Sequence, residues 1–192
     1  MENPKRAVVF ITGVASVGKT STARLLENRG VGKRISIGEL VLKHARMRWP
    51  ELTHDRLRGE PDLYAPVAVV RAAIRELCRL AEAERGSHSL ILESHAVTAE
   101  VYGSRITPFS HEDLRRLAFD IIVLLECEGS TILARTRDRG MDTPSLDLLY
   151  GMIDMQRATA ISYGVAVGCP VYAVNAEPSI ESVASQIQAL LP

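Results

Sequence analysis

A glycine-rich segment near the start of the chain ends in a lysine and a hydroxyl residue. Residues 13–20 read GVASVGKT, which matches the pattern G-x-x-x-x-G-K-[ST]. Glycines let successive backbone N–H groups point at phosphate oxygens, and a following helix N-terminus favours their negative charge. We expect Lys19 to reach the β- and γ-phosphates of ATP from a solvent-filled cradle, and Thr20 to bind Mg²⁺. The predicted phosphate-binding residues are Gly13, Ala15, Ser16, Val17, Gly18, Lys19, Thr20 and Ser21.

Apolar segments of strand type alternate with segments of helical periodicity along the chain. The predicted strands are Ala7–Thr12, Arg34–Ile37, Leu90–Leu92, Phe119–Leu125 and Val171–Val174. The predicted helices are Lys19–Arg29, Glu39–Arg48, Leu63–Arg85, Thr131–Asp138, Leu146–Tyr163 ending near Gly164, and a last one from Ser179 to Leu191. This alternation predicts an α/β fold with an open parallel sheet, whose ligands bind at the carboxyl ends of the strands.

Composition excludes several classes of protein. The chain has 192 residues, and its 23 Lys and Arg balance 23 Asp and Glu, which argues against sequence-blind nucleic-acid binding. Cys78, Cys127 and Cys169 are far apart and form no metal-binding spacing, so we expect inert core thiols outside the active site. No signal peptide or membrane span is visible, which favours a cytoplasmic location and no membrane partner.

Five stretches in order make the chain resemble adenylate kinases, most closely the archaeal-type branch of the P-loop nucleoside monophosphate kinases. They are ITGVASVGKTS (11–21), SIGEL (36–40), LILESHAVT (90–98), DIIVLLECEGSTILARTRDRGMDT (120–143) and MQRATAISYGVAVGCPVY (155–172). The resemblance implies a three-layer P-loop kinase fold with a five-stranded parallel sheet. It also implies one domain over 1–192, with a core of 1–37, 88–134 and 146–192. A helical monophosphate-binding region would cover about 38–87, and a short lid about 135–145.

The chain departs from the family pattern at three places. Ala15 and Ser16 stand where the family loop usually has Pro and Gly, although Ser16 still offers a backbone N–H. Glu93 stands where an aspartate is usual. The lid is a few residues shorter than in the family.

Arginines at loop ends are the natural candidates for phosphoryl transfer, which mostly needs positioning and positive charge. Arg135 and Arg139 are four residues apart and share one helical face. The resemblance implies that Arg135 stacks on adenine, Arg139 binds the phosphates and Arg137 lines the lid. The alternative is a solvated helix end, where cations suit the helix dipole.

Two further residues take roles from the resemblance. Arg157 would reach both phosphate groups from the long helix; alternatively, it pairs with Asp154 on the surface. Glu93, at the end of a buried strand, would hold Mg²⁺ through water; alternatively, it caps a loop. His95 is expected to be a polar loop residue outside the catalytic set.

The second substrate is expected between residues 38 and 85. Residues 33–58 contain seven Lys or Arg against three acids, which suits an anionic acceptor. Gly38, Arg56, Arg58 and Arg105 are the candidate acceptor-binding residues, although each arginine could equally be a solvated surface group. Asn175 and Ala176 would offer backbone groups to the adenine edge, unless Asn175 simply starts a turn.

Together these residues predict a nucleoside monophosphate kinase, most simply an adenylate kinase converting Mg·ATP and AMP to two ADP. One alternative is a kinase for another small acceptor, and another is an ATP-hydrolysing switch or assembly factor. The resemblance also suggests a homo-oligomer, for which the sequence shows no apolar stripe.

Overall fold

Seven strands form within residues 6–191, the range that the computed structural model describes. They are β1 (Val8–Thr12), β2 (Lys33–Ser36), β3 (Leu90–Glu93), β4 (Val97–Glu100), β5 (Gly103–Ile106), β6 (Ile121–Glu126) and β7 (Val171–Asn175). Five of them build one parallel sheet in the order β2-β3-β1-β6-β7. The predicted five-stranded parallel sheet is thereby confirmed, while the outer ends of the predicted core, residues 1–5 and 192, lie outside the described range.

Helices cover both faces of this sheet. They are α1 (Lys19–Asn28), α2 (Ile37–Arg46), α3 (His54–Gly59), α4 (Pro61–Tyr64), α5 (Val67–Glu84), α6 (His111–Leu117), α7 (Gly129–Arg137), α8 (Leu146–Val167) and α9 (Ile180–Ala189). Along β1, Val8 and Phe10 pack into one apolar layer and Val9 and Ile11 into the other, because successive side chains of a strand point to opposite faces. This gives the three layers of the P-loop kinase fold.

The register of the central strands aligns their carboxyl ends. Ile11 of β1 lies beside Glu93 of β3 on one side and Val123 of β6 on the other. The segments that follow Thr12, Glu93 and Glu126 therefore emerge at one edge of the sheet, where ligands of open α/β sheets bind.

The helical region after β2 is more broken than the sequence predicts. The predicted helix from Leu63 to Arg85 is divided into α4 and α5 at Ala65, because the ring of Pro66 disfavours helical backbone in the residue before it. The short helices α3 and α6 were not predicted, since each is less than two full turns and carries no clear apolar stripe.

An antiparallel hairpin, β4 and β5, follows β3 and was not predicted. Its strands read VTAE and GSRI and so lack the apolar run that marks a buried strand. Arg105 on β5 binds Glu100 across the hairpin at 2.7 Å and donates to the carbonyl of Ala65 at 2.9 Å. The hairpin is thus attached to the junction between α4 and α5.

The long helix α8 runs through Gly164, where the sequence analysis placed its end. It continues to Val167 and ends at Gly168, which takes a left-handed φ of 76°. Gly164 is required by a close approach: a Cβ there would lie 2.4 Å from Cγ2 of Val171 and 3.1 Å from the carbonyl oxygen of Cys169. None of the described helices, α8 included, is long and apolar enough to cross a membrane.

We expect Gly164→Ala to lower the free energy of unfolding by about 1–3 kcal/mol, because the added methyl group forces α8 away from β7. Gly151→Ala, in the same helix with no atom within 4 Å of the new Cβ, is the matched control. It should raise stability by about 0.5–1 kcal/mol through helix propensity. Urea unfolding of both variants measures the difference, and equal effects would contradict the packing argument.

Candidate active site

The loop between β1 and α1 is folded as a phosphate-binding loop. Gly13 has a φ of 144°, and a Cβ there would lie 2.5 Å from the carbonyl oxygen of Leu125, so only glycine lets the loop pack on β6. Gly18 precedes α1 and has no side chain to cap it, which leaves the first-turn N–H groups of α1 for an anion. Ala15 is exposed at the loop tip, and Thr20 and Ser21 are half-buried in the first turn.

Ser16 takes the conformation that the expected glycine would take more easily. Its φ is 63°, in the left-handed region, and its buried hydroxyl has no hydrogen-bond partner. The serine therefore keeps the backbone turn at some conformational cost and leaves a hydroxyl available inside the loop.

Lys19 is buried in the phosphate-binding loop, which corrects the expectation that it faces a solvent-filled cradle. Its ammonium donates hydrogen bonds to the carbonyls of Gly13 at 2.8 Å and Val14 at 2.7 Å. Burial lowers the pKa of Lys19 to about 8, Glu93 opposes this shift, and Arg139 and Arg58 add to it. The loop therefore holds a cation that is less stable there than in water.

Three cations, which we call the cation cluster, act on one another electrostatically near the carboxyl edge of the sheet: Lys19, Arg58 and Arg139. They come from the phosphate loop, from α3 and from the segment after α7. Partial burial, and then the charges of Arg58 and Arg135, lower the pKa of Arg139. The guanidinium of Arg139 has no hydrogen bond or ion pair within residues 6–191. Such mutual repulsion indicates a site prepared for a polyanion.

Two carboxylates act on this cluster: Asp55, which lies 3.8 Å from the Arg58 guanidinium, and Glu93, whose charge raises the pKa of Lys19. Glu93 is buried at the end of β3 and accepts a hydrogen bond from Arg34, which also binds Glu39. Arg34, which sequence reasoning missed, thus takes up much of the charge that could otherwise neutralise Lys19. Its only sequence signal was its place in the weak strand beside β3.

His95, which was expected to lie outside the catalytic set, responds to the charges of the cation cluster. Its side chain is exposed, and desolvation by surrounding protein atoms, together with the charges of Lys19 and Arg58, lowers the pKa of His95. The imidazole is therefore neutral at physiological pH. Its position two residues after the acid at a strand end was the signal that could have found it.

Arg135 connects the phosphate loop to the end of β7. Its guanidinium donates to the carbonyls of Val17 at 3.2 Å and Ala176 at 3.0 Å. The structure therefore brings together three residues that the sequence predicted for nucleotide binding. Asn175 is exposed, and its Oδ1 accepts from the backbone N–H of Glu177, which is the turn-forming alternative.

Two contacts around Arg135 were not predicted. Sγ of Cys127 lies 3.8 Å from the Arg135 guanidinium, so this half-buried cysteine adjoins the site rather than lying apart from it. Burial raises the pKa of the Cys127 thiol, which keeps it protonated. The carboxylate of Glu177 accepts from the backbone N–H of Glu128 at 2.7 Å and from Thr131 at 3.1 Å, and so caps α7, the helix that carries Arg135.

The other predicted arginines do not join the cation cluster. Arg157 binds Glu126 and Asp154, each at 2.8 Å, on the exposed side of α8, in line with its surface alternative. Arg137 is exposed and contacts only its own helix backbone. Arg56 packs over the ring of Tyr64 and donates to its hydroxyl, and Arg105 is held by the hairpin. Gly38 is exposed in the first turn of α2.

The residues predicted for Mg²⁺ suit an ion that keeps most of its water. Thr20 follows Lys19 and offers a hydroxyl oxygen, and the Glu93 carboxylate is close enough to Lys19 to raise its pKa. Within residues 6–191 no group of three His, Cys, Asp or Glu side chains could hold a metal by itself. Mg²⁺ in kinases is commonly bound by one or two protein oxygens and the substrate phosphates, so this sparse donor set fits.

Comparisons with known proteins agree with this architecture. A family model described as an AAA domain matches residues 9–157. A search of curated proteins gave no match. Among solved structures, the chain is similar to shikimate kinase from Bacteroides thetaiotaomicron, with 17% identity, a TM-score of 0.55, and coverage of 96% of this chain and 97% of that one.

Two further solved structures have the same fold. Shikimate kinase from Acinetobacter baumannii, in complex with shikimate, is 14% identical with a TM-score of 0.62, covering 96% of this chain and 92% of that one. A gluconokinase from Sinorhizobium meliloti 1021 is 14% identical with a TM-score of 0.53, covering 97% and 92%. At these identities the likeness establishes the P-loop kinase fold alone.

We expect the affinity for ATP to fall as the pH rises through about 8. Lys19 binds phosphate only when protonated, and its pKa of about 8 in the free protein leaves it mostly neutral at pH 9. The Kd of a non-hydrolysable ATP analogue should therefore rise about fivefold between pH 8 and pH 9. Calorimetry in buffers of different ionisation enthalpy should show proton uptake on binding at pH 8. An affinity that is constant from pH 7 to pH 9 would contradict the buried, destabilised ammonium.

Proposed function

Since the chain belongs to the AAA domain family, we propose that it is an ATP-dependent phosphotransferase of the nucleoside monophosphate kinase type, with AMP as acceptor. The observation that carries the proposal is the cation cluster. Lys19, Arg58 and Arg139 come from three separate segments and act on one another electrostatically, and Glu93, the carboxylate that acts on Lys19, is paired with Arg34. Phosphoryl transfer needs this concentration of positive charge more than it needs covalent catalysis.

In this proposal the γ-phosphoryl group of ATP lies between the phosphate loop and the two arginines. A phosphate oxygen of AMP attacks the γ-phosphorus, the bond to the β-phosphate oxygen breaks, and two ADP result. Lys19 leaves the carbonyls of Gly13 and Val14 to bind the β- and γ-phosphates. Mg²⁺, held by Thr20 and through water by Glu93, supplies neutralisation of charge on the phosphates.

The two halves of the site serve different substrates. Arg135, fixed between Val17 and Ala176, stacks on the adenine of ATP, and Asn175 and Ala176 line the adenine edge only if Ala176 gives up its bonds to Arg135 and Glu126. Arg58 binds the phosphate of the acceptor, in the region of residues 38–87 that begins with Gly38. Arg56 and Arg105 act there by holding Tyr64 and the hairpin in place.

Closure of the lid, residues 135–145, completes the site. Arg139 has no partner to leave within residues 6–191, so it is free to bind the phosphates as the segment moves. When the lid closes, Arg157 leaves the carboxylates of Glu126 and Asp154 and binds phosphate oxygens. A lid of this kind protects ATP from water until the acceptor is bound.

The acceptor is tested with the purified full chain, Mg·ATP and a panel of AMP, the other nucleoside monophosphates, shikimate, gluconate and water alone. We expect ADP formation that depends on AMP, because the sequence resemblance over the phosphate loop and the two arginine segments is to adenylate kinases. Phosphorylation of shikimate or gluconate, rather than of AMP, would show that the acceptor is a small hydroxylated acid. Slow hydrolysis that no acceptor accelerates would support an ATP-driven switch.

We expect Arg139→Ala and Arg135→Ala to affect different kinetic constants. Arg139 meets the phosphates fully only on closure, so its loss should lower kcat on the order of 10²-fold with a smaller change in KM for ATP. Arg135 contacts the bound nucleotide before closure, so its loss should chiefly raise KM. Steady-state kinetics at saturating AMP measure both constants.

Arg75→Ala serves as the control, because Arg75 is an exposed arginine on α5. It should leave both constants unchanged. If the two lid variants raise KM equally and leave kcat at the wild-type value, these arginines form only a solvated helix end.

A further inference from the structure

We propose that Gln156 is a positioning residue that fixes the segment Ser94–Val97, and with it His95, against the phosphate-binding loop. The proposal rests on the proposed phosphotransferase function, in which that loop binds ATP. The sequence analysis quoted Gln156 only as part of a longer stretch and gave it no role.

Gln156 is a buried polar residue whose side chain hydrogen-bonds to three other residues. It is 1% exposed. Its Oε1 accepts hydrogen bonds from the backbone N–H groups of Ala96 at 2.9 Å and Val97 at 3.4 Å. Its Nε2 donates to Oγ1 of Thr12 at 2.9 Å. The two backbone donors fix which end of the amide carries the oxygen.

Thr12 extends the connection to the same segment from the opposite side. Its hydroxyl accepts from Gln156 and donates to the carbonyl of Ser94 at 3.0 Å. Gly13, the first residue of the phosphate loop, follows Thr12 directly. One side chain from α8 therefore joins the end of β1, the start of the phosphate loop and the segment that contains His95.

Core packing alone does not account for an amide at this position. The neighbouring buried residues of α8 toward the sheet are apolar, including Leu149, Met152 and Ala160. Burying an amide costs free energy that its hydrogen bonds must offset, whereas an apolar residue of similar size carries no such cost. The amide holds three groups at fixed mutual positions: the N–H groups of Ala96 and Val97 and the hydroxyl of Thr12.

The segment that Gln156 holds determines where the His95 ring lies. Ser94, His95 and Ala96 belong to neither β3 nor the hairpin. The N–H of Ser94 donates to the carbonyl of Ile11 in β1 at 3.2 Å, and the carbonyl of Ala96 accepts from the N–H of Thr107 at 2.9 Å. Gln156 and Thr12 add side-chain hydrogen bonds on either side of His95, to the N–H groups of Ala96 and Val97 and to the carbonyl of Ser94. A displacement of about 1 Å at such a site costs up to about 10²-fold in rate.

The first test observes the segment Ser94–Val97 without any assay of activity. The backbone N–H groups of Ala96 and Val97, which donate to Gln156, should be protected from hydrogen exchange in the wild type. In Gln156→Met both N–H groups lose their acceptor, so their exchange should become roughly tenfold faster. Gln188→Met, on the exposed side of α9, is the matched control and should leave both exchange rates unchanged. A folded Gln156→Met protein with unchanged exchange at Ala96 and Val97 would overturn the proposal.

The second test uses kinetics and a conservative variant. Gln156→Met and Thr12→Val should each lower kcat roughly tenfold to a hundredfold with little change in KM for ATP. Their double mutant should be no worse than the more impaired single variant, because both interrupt one connection. Thr12→Ser keeps the hydroxyl and should restore kcat. Full additivity, or equal losses in Thr12→Ser and Thr12→Val, would show that these residues act only through stability.

The two tests also cover two ways in which the experiments could fail. If Gln156→Met does not fold, hydrogen exchange at Ala96 and Val97 is measured in Thr12→Val instead, and unchanged exchange there overturns the proposal. If the wild type transfers no phosphoryl group to any acceptor, the proposed function fails, while the exchange measurement still decides the positioning role.

Discussion

The burial of the Lys19 ammonium, with further cations close enough to act on it, is the constraint on which the rest of the site depends. Lys19 is enclosed by its own loop, and its pKa falls to about 8 because burial and two arginines disfavour its charge. The nearby carboxylate of Glu93 is shared with Arg34 and relieves this only in part. A bound polyphosphate would relieve the repulsion among these cations. The same positive charge therefore favours both the binding of the phosphates and the stabilisation of the transition state.

The parallel sheet is what places these charges together. β1 lies between β3 and β6, so the phosphate loop, the Glu93–His95 segment and the approach to α7 emerge side by side. Close contacts hold the arrangement: Gly13 packs on the carbonyl of Leu125, Glu177 caps α7, and Gln156 joins α8 to Thr12. The cations repel one another, and rigid attachments of this kind keep them from separating.

Much of the fold follows from local patterns in the sequence. The central strands β1, β3 and β6 are recognisable because continuous apolar runs suit strands buried on both faces, and the phosphate loop because its glycines and lysine have fixed roles. The edge strands β2 and β7 give weaker signals, since β2 reads KRIS and β7 is largely exposed. The hairpin was missed because its short, mixed strands have no such run. The end of α8 was misplaced because Gly164 serves packing against Val171, which lies seven residues further along the chain.

The site was less predictable than the fold, because arginine partners depend on tertiary contacts. Arg58 and Arg56 are two residues apart on α3, yet Arg58 lies near Asp55 and acts on Lys19 through its charge, whereas Arg56 packs on Tyr64. Arg157 was assigned to the phosphates by resemblance, but it pairs with Glu126 and Asp154. Gln156 and Arg34 carry no motif, and their importance appears only when their buried partners are known.

A crystal structure with a two-nucleotide bisubstrate analogue, in which a phosphate chain joins two adenosines, tests the central claim most directly. The account predicts that Lys19, Arg58 and Arg139 all lie within hydrogen-bond distance of oxygens in that one phosphate chain, with an adenine against Arg135. A complex in which Arg58 and Arg139 remain apart from the phosphates, or in which only one nucleoside is bound, would contradict it.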